Sequence, residues 1–167
     1  PREYFDMFPL ATVQLPEVRD DDLDDVPERG RELAHRGGDY HRHVLDADQW
    51  RPAVQGYLAS IAYADMLVGR LLDALQASPY ADNTVVVLWS DHGWQLGEKE
   101  HWQKYTPWRA VTRVPLMIRV PSEASESLPE GTKAGTVCDA PVNLLSLFPT
   151  LLDICNLPAK PDNDGPS

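Results

Sequence analysis

The sequence predicts an α/β protein, in which helical and strand segments follow one another along the chain. Residues 51–78 have apolar side chains at spacings of four and three, which predicts a long helix. A turn follows at 79–83, and residues 84–89 are then all β-branched, Leu or aromatic, as is typical of a strand buried on both faces. A second apolar run, 114–120, predicts another strand. Helix, turn and buried strand in this order form the repeating unit of α/β folds.

Length and composition limit the classes of protein that fit. A chain of 167 residues, 43% hydrophobic, has the length of one domain and enough apolar side chains to bury a core. The net charge of −11 argues against partners that are nucleic acids or anionic membrane surfaces. No apolar run approaches the roughly 18 residues of a membrane span, and no signal-peptide pattern is expected within these residues.

The segment 1–49 predicts an irregular, acidic excursion interrupted by prolines. The acidic run 20–25 (D-D-D-L-D-D) suggests a calcium loop, but it lacks the Gly and the Glu that an EF-hand loop requires, so a solvated loop is favoured. His41 and His43 flank an arginine without further ligand pattern, and we expect both to lie on the surface.

The helix predicted over 51–78 has proline signals at both ends. Pro52 falls in its first turn, where a missing N–H costs nothing, and Pro79 marks its end. Gly69 lies in its interior, where glycine is unfavourable by about 1 kcal/mol relative to alanine, so we expect close packing against a neighbour there.

The strand predicted over 84–89 ends in chemistry-bearing residues. In open α/β sheets, ligands bind just beyond the carboxyl ends of strands, which is where Asp91 and His92 stand. These two side chains can offer a carboxylate oxygen and an imidazole nitrogen to one cation. A tight turn, with Asp91 capping backbone N–H groups and His92 solvated, is the competing interpretation. Gly93 permits a sharp turn or a close approach to a ligand.

A cationic and aromatic patch follows within about twenty residues. Its cationic members are Lys99, His101, Lys104, Arg109 and Arg113, and four tryptophans (Trp89, Trp94, Trp102, Trp108) fall in the same region. On an acidic chain, a patch of this kind is a candidate for binding an anion.

The remaining segments carry less chemistry. Pro115 and Pro121 bracket the second strand and favour a position near a sheet edge. Residues 121–141 predict an exposed connection, and Ser146 is predicted to cap a helix running through Ile154. Two cysteines make neither a disulfide framework nor a metal-ligand spacing, and a single bridge between them stays open.

The sequence S-D-H-G-W-Q-L-G-E-K-E-H-W-Q-K-Y at 90–105 resembles the C-terminal signature of the type I, formylglycine-dependent sulfatases, especially their iduronate-2-sulfatase-like branch. The segments 113–121 and 144–158 look like the two that follow in that family. The resemblance implies an alkaline-phosphatase-like mixed sheet flanked by helices. It also implies that 50–158 is the C-terminal part of the catalytic domain, and we expect 159–167 to be a flexible tail.

The resemblance also implies roles for individual residues. Asp91 and His92 would belong to a metal site, with calcium as the usual ion. Lys104 would act as a catalytic residue on the sulfate and leaving-group oxygens, and His101 and Trp94 would contact the substrate. That substrate would be a sulfated carbohydrate or another small sulfate ester, and the compartment would be periplasmic, secreted or lysosomal.

The chain departs from the family at the nucleophile. The family makes a formylglycine from Cys or Ser in a Cys/Ser-x-Pro-x-Arg motif, whereas Cys138 is followed by D-A-P-V and Cys155 by N-L-P-A. The paired aspartates that complete the family's metal shell are not identifiable either. We therefore expect a sulfatase fragment that is inactive by itself, binds calcium weakly or not at all and can form oligomers through an incomplete sheet. A metal-dependent phosphatase or phosphodiesterase of the same superfamily, or a non-catalytic binding domain, remains an alternative.

Overall fold

The computed structural model describes residues 1–36, 38, 40–121, 128 and 132–167, and it shows helices together with two small sheets. The helices are α1 (Arg2–Asp6), α2 (Glu28–Ala34), α3 (Tyr40–Asp46), α4 (Trp50–Gln76), α5 (Arg109–Thr112) and α6 (Leu147–Ile154). The strands are β1 (Val86–Trp89), β2 (Gln95–Leu96), β3 (Trp102–Gln103) and β4 (Leu116–Arg119). The mixed α/β character predicted from the sequence is confirmed.

The chain folds as two compact units. The first consists of Pro1–Asp73 and His92–Val114, and the second of Ala74–Asp91 and Pro115–Ser167. In the first unit, the buried apolar side chains include Val13, Leu23, Ala34, Val54, Ala59, Trp102 and Val111; in the second they include Ala81 and Ile154. The first unit therefore has the larger core among the described residues.

The long predicted helix is confirmed as α4. Pro52 lies in its first turn, which the backbone N–H of Ala53 closes by donating to the carbonyl of Gln49 at 2.9 Å. The helix ends at Gln76, three residues before Pro79, and Ser78 then donates through both its N–H and its hydroxyl to Leu75.

The apolar face of α4 is buried only along its N-terminal half. Val54 and Ala59 are 3% and 2% exposed, whereas Leu71 is 69% exposed. The close packing expected at Gly69 is not found: among the described residues, no atom outside the adjacent backbone of α4 lies within 4 Å of the position that a Cβ would take. Amphipathic spacing therefore predicted the helix correctly but overstated how much of it is covered.

The strand predicted over 84–89 is confirmed as β1, but its expected burial on both faces is wrong. β1 pairs antiparallel with β4, with Val86 opposite Arg119 and Trp89 opposite Leu116. Leu88 and Trp89 remain 39% and 45% exposed. The reason is that this sheet has two strands, and no described segment covers these side chains.

Residues 1–49 are less irregular than predicted, because they contain the short helices α1, α2 and α3. His43 is exposed as expected, whereas His41 is buried, at 7% exposed, so the prediction for His41 was wrong. The indole N–H of Trp102 donates to its Nδ1 at 3.1 Å. The division at residues 49 and 158 remains a prediction.

The C-terminal helix is confirmed as α6, with Pro149 in its first turn. The predicted cap is wrong: Ser146 makes no capping hydrogen bond with its side chain, and the side chain of Asn143 accepts from the N–H of Leu145 at 3.0 Å instead. Cys138 and Cys155 are both free and exposed. Residues 122–127 and 129–131, which belong to the connection predicted over 121–141, lie outside the described residues.

None of the helices in the described ranges has the length and apolar character that crossing a membrane requires.

Candidate functional site

Asp91 and His92 directly follow β1, as the sequence indicates. The main chain leaves the sheet at Ser90, whose N–H donates to the carbonyl of Pro115 at 3.3 Å. Asp91 is exposed and His92 is half-buried. The Nδ1 of His92 lies 2.9 Å from the carbonyl oxygen of Gly93. A proton on Nδ1 leaves the lone pair on Nε2, which is the form in which a neutral imidazole binds a metal.

Gly93 brings two backbone segments together. Its N–H donates to Val111 at 2.7 Å, and the next N–H, that of Trp94, donates to Ala110 at 3.1 Å. A Cβ at Gly93 would overlap the carbonyl oxygen of Ala110 and lie 3.1 Å from the Cα of Val111. Gly93 therefore lies close to the backbone of α5, and the close approach to a ligand stays a prediction.

Trp94 lies on the wall of a mainly apolar cavity of about 320 Å³ in the first unit. Its ring stacks on Tyr57 with centroids 6.4 Å apart, and the ring of His92 lies at the same centroid distance on a tilted plane. Tyr40 and Trp102 line the cavity as well. Such a cavity can hold the apolar face of a ring.

The segment that carries Lys104 has an unusual backbone. Between Gly97 and Tyr105, the residues with positive φ are Gly97 (122°), Lys99 (55°), Glu100 (53°), Gln103 (75°) and Tyr105 (77°). For residues other than glycine, conformations of this kind cost of order 1 kcal/mol each and persist only where the surroundings enforce them. We call residues 97–105 the Lys104 segment.

Buried polar contacts at the base of the Lys104 segment hold it in place. Gln95 is fully buried; its amide donates to the carbonyl of Glu98 at 2.8 Å, and its carbonyl oxygen accepts from the hydroxyl of Thr106. The carboxylate of Glu98 accepts from the N–H of Leu96 at 2.7 Å. These contacts bind both ends of the segment to one another.

Lys99 binds the acidic run of the N-terminal region. Its backbone N–H donates to the carboxylate of Asp22 at 2.8 Å, and its Nζ lies 3.0 Å from Asp22 and 3.2 Å from Asp25. The hydrogen bond to Asp22 raises the pKa of the Lys99 ammonium group above its usual 10.5. The acidic run is therefore more than the solvated loop predicted, and Lys99 is neutralised within the proposed cationic patch.

His101 is buried, at 5% exposed, with main-chain carbonyls at both ring nitrogens. Its Nδ1 lies 2.6 Å from the oxygen of Ala34, and its Nε2 lies 2.8 Å from the oxygen of Lys104. The structure thus places this predicted substrate-contact residue between two main-chain carbonyl groups.

Lys104 is half-buried between two residues with positive φ, and its Nζ lies 5.2 Å from the centroid of the Tyr105 ring. In the ranges that the structure covers, no carboxylate forms an ion pair with it. Unlike Lys99, Lys104 therefore keeps an ammonium group that can bind an anion.

The metal site predicted from Asp91 and His92 is at most partial in this chain. Among the described residues, no group of three or more His, Cys, Asp or Glu side chains is arranged to hold a metal ion. Calcium takes about six to eight oxygen ligands, so these two residues can supply only a minor part of such a shell.

Sequence reasoning missed the residues that support the Lys104 segment: Asp22, Asp25, Ala34, His41, Gln95 and Thr106. The contacts of Asp22 and Ala34 with this segment span 77 and 67 residues of sequence. No local pattern carries such pairings. The one available signal was charge: the acidic run at 20–25 could have been expected to pair with the cationic residues that cluster at 99–113.

Comparisons with known proteins show the family to which this chain is similar. The sequence model of the Sulfatase family matches residues 9–157. A sulfatase of Formosa agariphila is 39% identical over all of this chain and 31% of its own length, and human iduronate 2-sulfatase is 38% identical over 74% of this chain and 25% of its own.

Solved structures of other proteins superpose on this chain. A phosphonate monoester hydrolase from Silicibacter pomeroyi superposes over 100% of this chain and 33% of its own, with a TM-score of 0.74 and 26% identity. A protein solved with its substrate D-glucosamine-2-N,6-O-disulfate covers 74% of this chain and 23% of its own, with a TM-score of 0.62 and 31% identity.

The fold and the comparisons define an incomplete α/β domain of the alkaline-phosphatase-like class. The chain belongs to the sulfatase family. It spans about a third of the length of the curated relatives that it matches over its whole length. The family resemblance drawn from residues 90–105 is thereby confirmed.

Proposed function

We propose that this chain is the C-terminal part of a sulfatase catalytic domain and supplies the residues that bind the sulfate group. In this proposal, Lys104 binds the sulfate and leaving-group oxygens, and Asp91 and His92 are metal ligands. Support comes from the environment of Lys104: its ammonium group has no carboxylate partner in the described part of the chain, and its main-chain carbonyl lies 2.8 Å from Nε2 of the buried His101. A lysine that only faces solvent needs no buried side chain to hold its main-chain carbonyl.

The reaction assigns Lys104 a defined task. A sulfate ester carries negative charge on its non-bridging oxygens, and more charge develops on the leaving oxygen as the S–O bond breaks. An ammonium group held nearby gains interaction as that charge develops, so it stabilises the transition state more than the ground state.

Asp91 and His92 fit a calcium site in part. The Asp91 carboxylate is the hard oxygen ligand that calcium prefers, and Nε2 of His92 is a softer donor. A calcium ion bound there would supply Lewis acidity toward a sulfate oxygen. Since this chain offers two ligands, we propose that calcium binds weakly or not at all to it alone and binds firmly in the longer enzyme.

This chain alone is proposed to be inactive. Sulfate transfer needs a nucleophile, and neither Cys138 nor Cys155 lies in the Cys/Ser-x-Pro-x-Arg motif from which formylglycine is made. The nucleophile and the other metal ligands would come from the rest of the enzyme.

The substrate is proposed to be a sulfated carbohydrate or another small sulfate ester. The carbohydrate is favoured by the structure solved with D-glucosamine-2-N,6-O-disulfate and by the name of a similar N-acetylglucosamine-6-O-sulfatase of Bacteroides thetaiotaomicron, 31% identical over 80% of this chain. Trp94, on the wall of the apolar cavity, is the proposed contact for a sugar ring.

A phosphatase or phosphodiesterase activity is the second candidate. It is favoured by the phosphonate monoester hydrolase, whose structure superposes over all of this chain. Rates on an aryl sulfate and on an aryl phosphonate monoester, measured with the enzyme that contains this chain, distinguish the two. A sulfatase hydrolyses the sulfate faster at equal concentration.

Replacing Lys104 tests the proposed role directly. In the enzyme that contains this chain, Lys104→Ala is expected to lower kcat on an aryl sulfate by about 100- to 1000-fold, the scale for losing one donor to a developing oxyanion. Lys133→Ala is the matched control, since Lys133 is also a lysine and is exposed in the second unit. Equal and mild effects of the two changes on kcat would show that Lys104 is a surface lysine.

A further inference from the structure

We propose that His101 is a positioning residue for Lys104, acting through the main chain of the Lys104 segment and not by touching the substrate. The inference deepens the proposed function and rests on it. It assigns to this buried imidazole the task of fixing the peptide group that follows Lys104.

The two contacts of the ring identify it as a donor. Both neighbouring atoms, the carbonyl oxygens of Ala34 and Lys104, can only accept hydrogen bonds, and they lie 2.6 Å and 2.8 Å from Nδ1 and Nε2. A neutral imidazole donates to one of them and an imidazolium donates to both. The ring of His101 therefore lies within hydrogen-bond distance of two main-chain segments that are 70 residues apart in sequence (104 − 34), an arrangement that we call the clamp.

The Ala34 side of this clamp lies at the buried end of a helix. Ala34 is the last residue of α2 and is 2% exposed. The last carbonyls of a helix have no partner within the helix and need one from elsewhere. The ring of His101 supplies that partner from the buried side of α2.

The other side of the clamp is the part that needs support. Lys104 stands between Gln103 and Tyr105, whose φ values are 75° and 77°. Residues other than glycine keep such conformations only where surrounding contacts enforce them. The bond from Nε2 to the Lys104 carbonyl is a contact of this kind, and it sets the direction in which the Lys104 side chain leaves the backbone.

The expected effect on catalysis follows from geometry. A charged group that stabilises a transition state must be held close to its productive position, and a displacement of about 1 Å can lower the rate by about 100-fold. Loss of the Nε2 bond should therefore lower kcat and leave KM nearly unchanged, because the ground state depends less on Lys104.

Two substitutions separate the halves of the clamp. In His101→Gln the side-chain amide nitrogen can take the place of Nε2 and donate to Lys104, whereas in His101→Asn it can take the place of Nδ1 and donate to Ala34. Both variants lose one buried hydrogen bond, so both should lose similar stability in thermal unfolding. In the enzyme that contains this chain, we expect His101→Gln to keep a kcat close to the original and His101→Asn to lose about 10- to 100-fold.

The Lys104→Ala background shows whether the effect passes through Lys104. There, His101→Asn is expected to lower kcat no further, because the ammonium group that it positions is gone. Equal losses of kcat in the Gln and Asn variants, or a loss in His101→Asn that persists in the Lys104→Ala background, would overturn the inference alone. A silent Lys104→Ala would overturn the proposed function and the inference with it.

A second readout uses the 167-residue chain and needs no turnover. The amide N–H of Tyr105 shares a peptide group with the carbonyl of Lys104, so its NMR chemical shift reports on that hydrogen bond. We expect this shift to be preserved in His101→Gln and to move in His101→Asn. Movement to the same extent in both variants would contradict a specific bond to Lys104.

Discussion

At the scale of single residues, Gly93 is the position where two backbone segments meet beside the proposed metal ligands. Gly93→Ala places a methyl group against the carbonyl of Ala110, which is main chain and cannot rotate away. We expect a loss of about 1–3 kcal/mol or more in the free energy of unfolding, measured by urea denaturation of the chain.

Gly69→Ala is the matched control for this substitution. Gly69 lies inside α4, and no described atom outside the adjacent backbone of that helix lies near the position of the new methyl group. Alanine is the better helix former, so a gain of about 0.4–1 kcal/mol is expected. If both alanine variants shift the urea midpoint in the same direction, steric overlap at Gly93 is not the cause.

Lys99 gives the chain a predictable dependence on alkaline pH. Its folded-state pKa is raised above 10.5, so the proton is held more tightly in the folded than in the unfolded chain. The stability that Lys99 contributes is therefore fully present below about pH 10.5 and is lost as pH rises through the folded-state pKa.

The Lys99→Met variant tests this dependence. We expect it to be less stable than the original chain by about 1 kcal/mol near pH 7, with the difference shrinking above about pH 10.5. Thermal unfolding at a series of pH values measures it, with Lys133→Met as the control that shows no such trend. A constant difference from pH 7 to 11 would contradict the role given to the ammonium group.

Single residues also show the limit of sequence reasoning. Pro52 was placed correctly because a proline in a first turn is a local signal that follows from its missing N–H. His41 was expected on the surface but is buried. Its burial could not be predicted, because its hydrogen-bond partner Trp102 is 61 residues away in sequence. Asp91, His92 and Lys104 were predicted as site residues from a motif, whereas no motif marks the residues that hold the Lys104 segment.

At the scale of elements, α4 combines a buried and an exposed half. Val54→Ala in the buried half should cost roughly 1–3 kcal/mol, since it removes two methyl groups from a packed site. Leu71→Ala, in the exposed half, should change the free energy of unfolding by less than about 0.5 kcal/mol. Chemical denaturation of the two variants measures both values, and a larger loss for Leu71→Ala would mean that its face is covered in solution.

This contrast explains why the elements were predictable and their burial was not. The period of apolar residues is written in the sequence, so α4 and β1 could be predicted from 51–78 and 84–89. Whether Leu71 or Trp89 is buried depends on what packs against it, and that is a property of other segments. The same holds for β4, whose strand was predicted while its partner was not.

At the scale of the whole molecule, the sheet formed by β1 and β4 leaves apolar side chains on both of its faces in water. Leu88, Trp89, Met117 and Ile118 are all at least 38% exposed. Exposed apolar strands are a template for association with another chain. We therefore expect the 167-residue chain to self-associate as its concentration is raised.

Sedimentation velocity over a range of concentrations measures this association. The double variant Trp89→Lys, Met117→Lys should remain monomeric, because it places one charge on each face of the sheet and charges there oppose pairing. Leu71→Lys, on the exposed half of α4, is the control that should leave association through the sheet unchanged. A chain that stays monomeric at every concentration would show that this surface is not adhesive.

The division of the chain into two compact units has an optical consequence. Trp50, Trp94, Trp102 and Trp108 belong to the first unit, so four of the five indoles report on it, and the second unit contains Trp89. Both thiols, Cys138 and Cys155, belong to the second unit and are exposed. Tryptophan emission therefore reports mainly on the first unit, which contains the Lys104 segment, and a dye attached to the thiols reports on the second unit. The unfolding of each unit can thus be recorded in one sample at its own wavelength.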